Sequence, residues 1–343
     1  MKMIRSKGVA ALLALASGLF ALPAHAGKTL DGIRARGQLV CGVHTGLSGF
    51  SAPDASGRWM GLDVDICRAI AAAVLGDGAR ITYVPLTAQQ RFTALQSGEI
   101  DVLSRNTTFT LSRDAGLGLH STAVTYYDGQ GFIVPVRSRV RSVQQLKRQK
   151  VCVQSGTTSE RNLNEHSRAH GLEIQAVLFE KEDTAAAAYF AGRCSAYTSD
   201  TSGLASMRSR QAKPADHAIL PDLISKEPLG PLVRRGDEEW FAIVKWVVHG
   251  LIEAEEYGIT QVRVEALKRS SHDPAVQRLL GVTEDTGKLL GLDKEWMARA
   301  LKATGNYGEI FERNIGAKSP LALPRGLNNL WSHGGLMYAY PLR

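Results

Sequence analysis

Three polar loops hold most of the groups in this chain that could do chemistry. They are Asn106-Thr107-Thr108-Phe109-Thr110-Leu111-Ser112-Arg113, Ser155-Gly156-Thr157-Thr158-Ser159 and Thr198-Ser199-Asp200-Thr201-Ser202. Each follows a short apolar run that reads as a strand, and each opens a helical pattern. Ligands of open α/β sheets sit beyond the carboxyl ends of strands, where helix N-termini offer free N–H groups to anions. A guanidinium with such N–H groups suits a carboxylate, and a carboxylate suits an ammonium. Arg113 and Asp200 would grip the two ends of a zwitterion such as a free amino acid. They lie in different halves of the chain, so a ligand bridging them would draw the halves together. Taken singly, these residues are more often helix caps or turn formers. Three such loops in succession argue for a site.

Signs of catalysis are sparse. The chain has no GxSxG elbow, no GxxxxGK[ST] phosphate loop and no strand-placed GxGxxG. His166 and His170 are four apart on a predicted helix and lack a third metal ligand, so an exposed polar face is the expectation. Asp63 reads as a helix N-cap, and Glu180 and Glu182 read as a solvated charged turn. Glu160, beside the second loop, is the one acid near the candidate site. The four cysteines form no CxxC pair. No metal and no cofactor is expected.

The elements that must position the loops follow from the rest of the chain. Lys2, Arg5 and Lys7 precede an uncharged apolar stretch from Gly8 to Ala24, and Ala24-His25-Ala26 offers small residues at a cleavage site. That is a secretory leader, 1–26, too short in its apolar part to anchor in a bilayer. Of 343 residues, removal of 26 leaves 317, enough for two lobes. The formal charge of +8 includes the three leader positives, leaving about +5. The basic clusters 137–141 and 147–150 lack interleaved aromatics, so nucleic acid is excluded as a partner.

Four cysteines behind a leader imply two disulfides in an oxidising compartment. Of three formal pairings, Cys41–Cys67 and Cys152–Cys194 are favoured because each closes a loop within one half. Runs at Leu39–Val43, Ile81–Val84 and Ile100–Leu103 read as strands. A second set follows at Gly131–Val136, Val151–Val153, Ile174–Phe179 and Cys194–Thr198. Thr87 with Gln90, and Ser142 with Gln145, make capping boxes. Asp183 reads as the cap of an Ala-rich helix, and Asp237 as that of a long apolar-faced one. Helices are expected over Gln261–Arg269, Pro274–Leu280 and Lys294–Thr304, then an irregular tail from Lys318. Alternating strands and helices make this an α/β protein.

The segment from Asp101 to Asp114, the Gln154-Ser155-Gly156-Thr157-Thr158 loop and the run from Gly192 to Asp200 resemble the polar amino-acid solute-binding proteins of ATP-binding-cassette importers. The likeness is closest to the general L-amino-acid branch. It is carried by Val40-Cys41-Gly42-Val43, Gly49-Phe50-Ser51-Ala52-Pro53, Gly61-Leu62-Asp63-Val64-Asp65 and Gly334-Gly335-Leu336-Met337-Tyr338-Ala339. The resemblance implies a two-lobed periplasmic-binding-protein fold (type II) with a hinge of two crossing strands near Tyr127–Gly131 and Ile224–Leu232. One lobe would comprise 27–128 with 232–343, the other 129–231. Arg113 would pair with the ligand α-carboxylate, aided by N–H groups of Thr108 and Thr158. Asp200 would accept from the ammonium, Asn106 would add a polar contact, and Phe50 would pack on the ligand. Ser195 departs from the acidic residue that relatives often carry there, away from the ligand position.

The implied function is capture of L-amino acids of broad side-chain range, without catalysis, for the inner-membrane permease subunits of an importer. A monomeric periplasmic protein is expected. Two alternatives share the fold: a secreted enzyme such as a cyclohexadienyl dehydratase, which needs a general acid in the cleft, and a ligand-binding sensor partner. Mass spectrometry of periplasmic protein should find a chain beginning at Gly27 with two intramolecular disulfides. A disulfide joining Cys41 or Cys67 to Cys152 or Cys194 would overturn the lobe assignment.

Overall fold

The computed structural model describes residues 28–343; the predicted leader and its cleavage site lie outside the described residues. Helix α1 (Lys28–Arg36) runs into β1 (Leu39–His44), and a small hairpin, β2 (Ala52–Pro53) with β3 (Trp59–Met60), precedes α2 (Leu62–Leu75). Helix α2 is apolar around most of its surface. It packs between the sheet and the later helices, and its alanines Ala69 and Ala71–Ala73 let neighbouring backbones approach. Gly76, left-handed at φ 76°, stops it by donating to Ala72. Next come β4 (Ile81–Leu86), α3 (Arg91–Ser97), β5 (Val102–Leu103), β6 (Leu119–Ser121) and β7 (Tyr126–Asp128).

The second set begins with β8 (Gln130–Pro135). It continues through β9 (Lys150–Gln154), α4 (Thr158–Ala169), β10 (Gln175–Phe179), α5 (Glu182–Phe190), β11 (Ala196–Asp200), α6 (Thr201–Ser209) and β12 (His217–Ile219). The chain then returns through β13 (Glu227–Leu229) and β14 (Leu232–Arg234). Two five-stranded sheets result, in the orders β4-β1-β5-β14-β6 and β10-β9-β11-β8-β12. In the first, β1 is parallel to β4 and β5; in the second, β9 is parallel to β10 and β11. The fold is two-lobed, and the chain passes between the sheets twice, along β7 and β13. These two pair antiparallel, Glu227 opposite Asp128 and Leu229 opposite Tyr126.

Helices α7 (Glu238–Glu256), α8 (Val264–Ser270), α9 (Pro274–Leu279), α10 (Trp296–Thr304) and α11 (Tyr307–Asn314) cover the first sheet. They share one core with β1 and α2, in which Trp240, Trp296, Tyr307 and Phe311 are fully buried. Asp237 caps α7 by accepting from Trp240 N–H at 3.0 Å. Helix α11 is an element beyond those expected, although Asn306 and Glu309 form the capping box that announces it. The Ser142–Gln145 box opens only a four-residue 3-10 turn. The Ala-rich α5 starts after Lys181, so Asp183 lies inside its first turn and is not its cap.

Among the described residues, no helix is long and apolar enough to cross a membrane. The structure contains Cys41–Cys67, joining β1 to α2, and Cys152–Cys194, joining β9 to the approach of β11. Their sequence separations of 26 and 42 residues correspond to roughly 3–4 kcal/mol each from unfolded-chain entropy. Cys152→Ser with Cys194→Ser should therefore lower stability by about that amount, read from urea midpoints. The Cys41–Cys67 bond should stay intact on peptide mapping of the variant.

Candidate ligand-binding cleft

The three parallel strands of each sheet end at one place. β1 ends on His44, β4 leads to Arg91 at the start of α3, and β5 leads to Arg105, Asn106 and Thr108. From the other sheet, β9 supplies Gln154, Thr157 and Thr158, β10 leads to Glu182 at the start of α5, and β11 ends in Ser199 and Asp200. These residues line a small cavity between the sheets. Contacts between the lobes shut it. Gln89 donates to the Ser155 hydroxyl at 3.2 Å, and the Thr108 and Thr158 hydroxyls are 3.4 Å apart.

The first lobe is cationic here. Arg91, Arg105 and Arg113 are all buried. Arg105 Nε donates to Leu86 O at 2.8 Å, and Arg113 Nη1 donates to Thr108 O at 2.8 Å. Arg91 and Arg113 both cover the Phe92 ring, at 4.7 and 5.1 Å. Arg91 Nε, Arg105 Nη2 and Asn106 Oδ1 have no hydrogen-bond partner among the described residues. Burial, then the neighbouring guanidiniums, holds Arg91 well below its ordinary pKa. Burial above all brings Arg105 down to about 10.

The second lobe is anionic. Burial pushes Asp200 well above the usual carboxylate range, and the charges of Asp128, Glu227 and Glu182 add to the rise against Arg113. Asp128 is itself held by the hydroxyls of Thr201 and Ser202, both at 2.5 Å. His44 Nε2 lies 2.8 Å from Glu182 Oε2, across the cleft. Burial and the charge of Arg105 lower the His44 pKa, and its Nδ1 accepts from Gly46 N–H at 3.1 Å. A neutral imidazole therefore donates from Nε2 to the carboxylate.

Four expected site residues, Asn106, Thr108, Thr158 and Asp200, line the cavity. Arg113 sits one layer behind, against the Thr108 carbonyl. Phe50 lies elsewhere: it is fully buried in the first lobe's core, edge-on to Tyr126 at 5.3 Å. The cause is the start of α2. Leu62 N–H and Asp63 N–H donate to Gly49 O and Phe50 O, and Gly61 passes so close that an added Cβ would stand 2.0 Å from Phe50 O. That contact turns the Phe50 ring inward.

The same contact corrects the reading of Asp63 as a cap. With those N–H groups satisfied, its carboxylate instead accepts from Ser104 Oγ at 3.1 Å and Asn106 N–H at 2.7 Å. Asn106 is thereby fixed in the left-handed region at φ 36°. Burial raises Asp63 to about 6. Glu182, expected in solvent, is a part-buried wall of the cleft. His44, Arg91 and Glu182 escaped the sequence reading because the strand-end rule was applied to three strands, whereas six obey it; Arg105 follows β5 and lies one residue before the loop read there.

Residues 39–263 match the model of the bacterial extracellular solute-binding proteins, family 3. The chain belongs to this family. It is 54% identical over 317 residues to the general L-amino acid-binding periplasmic protein AapJ of Rhizobium johnstonii, covering 92% of this chain and 93% of that one. It is 50% identical to the glutamate/glutamine/aspartate/asparagine-binding protein BztA of Rhodobacter capsulatus, covering 98% of each. A solved ABC transporter periplasmic binding protein from Brucella ovis, with glutathione bound, superposes with a TM-score of 0.89 at 51% identity, covering 92% of this chain and 99% of that one. These relatives are binding proteins, and binding without catalysis is the function of this member too.

Glu160, the acid nearest the second loop, accepts from Gly156 N–H at 2.9 Å and so closes the turn before α4. His166 and His170 stack at 4.1 Å on α4, and no group of metal-ligating residues occurs among the described residues.

Burial works to raise the Glu182 carboxyl, but hydrogen bonding to His44, then the nearby charges of Arg105 and Arg210, holds it below its ordinary pKa. This contribution to stability is present above the usual carboxylate range and is lost as pH falls through the folded pKa. In His44→Ala the largest lowering influence disappears and burial dominates. The Glu182 carboxyl should then titrate above 4.5, read by carbon NMR. Equal titration in parent and variant would mean that the cross-cleft bond does not persist in solution.

Proposed function

We propose that this protein captures free L-amino acids outside the cytoplasmic membrane and delivers them to the permease subunits of an ATP-binding-cassette importer. The observation that carries the reading is a buried cavity with guanidiniums on one lobe and the Asp200 carboxylate on the other. A zwitterion is the small ligand whose two ends satisfy both. Arg113, with the N–H groups of Thr108 and Thr158, takes the α-carboxylate, while Asp200 takes the ammonium and Asn106 adds a polar contact. The unpartnered N–H groups of Arg91 and Arg105 remain for side chains that end in a carboxylate or amide. Side-chain selectivity is therefore graded and the range broad. Glutathione, the ligand of the Brucella relative, carries the same α-ammonium and α-carboxylate on its γ-glutamyl end.

In this reading the leader is cleaved after Ala26, and the protein works as a periplasmic monomer. The lobes are 27–128 with 232–343, and 129–231; β7 and β13 act as the hinge about which they close.

Arg113→Ala or Asp200→Ala should each weaken binding of glutamate, leucine and histidine by about 2–5 kcal/mol, roughly thirty- to several-thousand-fold. Each change leaves one charged end of the ligand buried and unpaired. Because Asp200 starts above the ordinary carboxylate range, an ammonium that holds it ionised expels a proton. Calorimetry in buffers of different ionisation enthalpy should detect that release, and affinity should fall as pH is lowered. Unchanged affinity in either variant would refute the site.

A further inference from the structure

Beside the hinge, a buried carboxylate joins loops of both lobes and has no part in the binding roles above. Glu227 stands on β13 and is 1% exposed. Its Oε2 accepts from Thr108 Oγ1 at 2.5 Å and from Thr158 Oγ1 at 3.0 Å. Its Oε1 accepts from Asn162 Nδ2 at 2.9 Å and from Ser225 Oγ at 2.5 Å. All four acceptor sites of an ionised carboxylate are thus filled.

The donors divide between the lobes. Thr108 follows β5 of the first lobe and is tied to the crossing strand that bears Glu227: it bridges Leu229, Phe109 N–H donates to Pro228 O, and Gly230 N–H donates to Thr107 O. Thr158 and Asn162 belong to α4 of the second lobe. One oxygen atom therefore binds a hydroxyl from each lobe. Whichever lobe Glu227 follows when the cleft opens, one of those hydroxyls must leave it.

The geometry points to Glu227 as a positioning residue that latches the closed cleft and aligns its two anion-binding backbones. It holds Thr108 and Thr158, whose N–H groups come from opposite lobes, within reach of a single carboxylate. A carboxylate has only acceptors, so it engages both hydroxyl protons. Backbone N–H groups and guanidiniums are then what remains to meet an incoming anion. Gln130, on the other crossing segment, supports the same helix end by donating from Nε2 to Ser159 O at 3.0 Å and Thr198 Oγ1 at 2.9 Å.

The role rests on the reading of the cleft as the binding site, and its effect is on closure. Loss of the latch lowers the closed fraction before any ligand arrives, and apparent affinity falls in proportion to that fraction. All ligands should weaken by one common factor, whereas a lost contact weakens them unequally.

The test is an interlobe distance distribution, measured by electron paramagnetic resonance between labels on noncanonical residues at Arg58 and Arg148, whose side chains are 78% and 70% exposed. In ligand-free Glu227→Ala, the distribution should shift towards longer distances than in the parent. The distribution with saturating glutamate should not move. Dissociation constants for glutamate and leucine should rise together, by about tenfold for a tenfold smaller closed fraction, mainly through faster release. Glu227→Gln keeps one accepting oxygen and should recover part of the shift. Thr158→Val removes only the second lobe's hydroxyl and should reproduce it if Glu227→Ala folds poorly. Ligand-free distributions matching the parent in Thr158→Val and in folded Glu227→Ala would overturn the latch, as would unequal losses for the two ligands. A parent that no amino acid closes would count against the amino-acid reading, while the ligand-free comparison would still decide the latch.

Discussion

Desolvated charge is the constraint around which this molecule is organised. Moving an ionised group out of water costs several kcal/mol unless partners replace the lost hydration. Arg91, Arg105 and Arg113 are buried beside one another on one lobe. Asp200 and Glu182 are enclosed on the other. Each lobe alone carries a surplus of one sign at the cleft, so the two are electrostatically incomplete apart. Carbonyls of Leu86 and Thr108 and the ring of Phe92 hold the guanidiniums in place. None of these can neutralise them. Neutralisation comes from the opposite lobe and, in the proposed function, from a ligand that carries both signs.

That arrangement demands a firm base on one side of the hinge, and the C-terminal region provides it. Asn328 grips the free edge of β7, accepting from Tyr127 N–H at 2.6 Å and donating to Tyr127 O at 3.0 Å. Tyr307 on α11 donates to Thr125 O at 2.8 Å, just before β7. Arg325 meets both oxygens of Glu255 on α7, at 3.0 and 3.2 Å, and covers the rings of Tyr307 and Phe311. The family match ends at residue 263, so most of this bracing comes from beyond it. It ties the crossing strand β7 to the helices of the first lobe.

Local patterns carried most of the architecture. Alternating apolar runs and capping signals identified the principal strands of both sheets and the helix beginning at Asp237. Strand ends followed by Ser, Thr and Gly identified the loops that carry Asn106, Thr108, Thr158 and Asp200. The failures have a common cause. Asp63, Asp183 and Glu182 were assigned from immediate neighbours in the chain, as caps or solvated charge, but distant residues decide two of them. Asp63 is occupied by Ser104 and Asn106, and Glu182 by His44. Phe50 was assigned by its loop, yet the passage of Gly61 beneath that loop turns the ring into the core.

The sequence by itself determined the fold class and the strand-end loops, because those depend on short-range periodicity and residue type. Tertiary structure alone decided which charges meet. The residues of the cleft come from six strands and from chain positions as far apart as His44 and Glu227, and no local pattern encodes a distance between them. Burial, which turns an ordinary carboxylate into a strong partner for an ammonium, exists only once both lobes close over it.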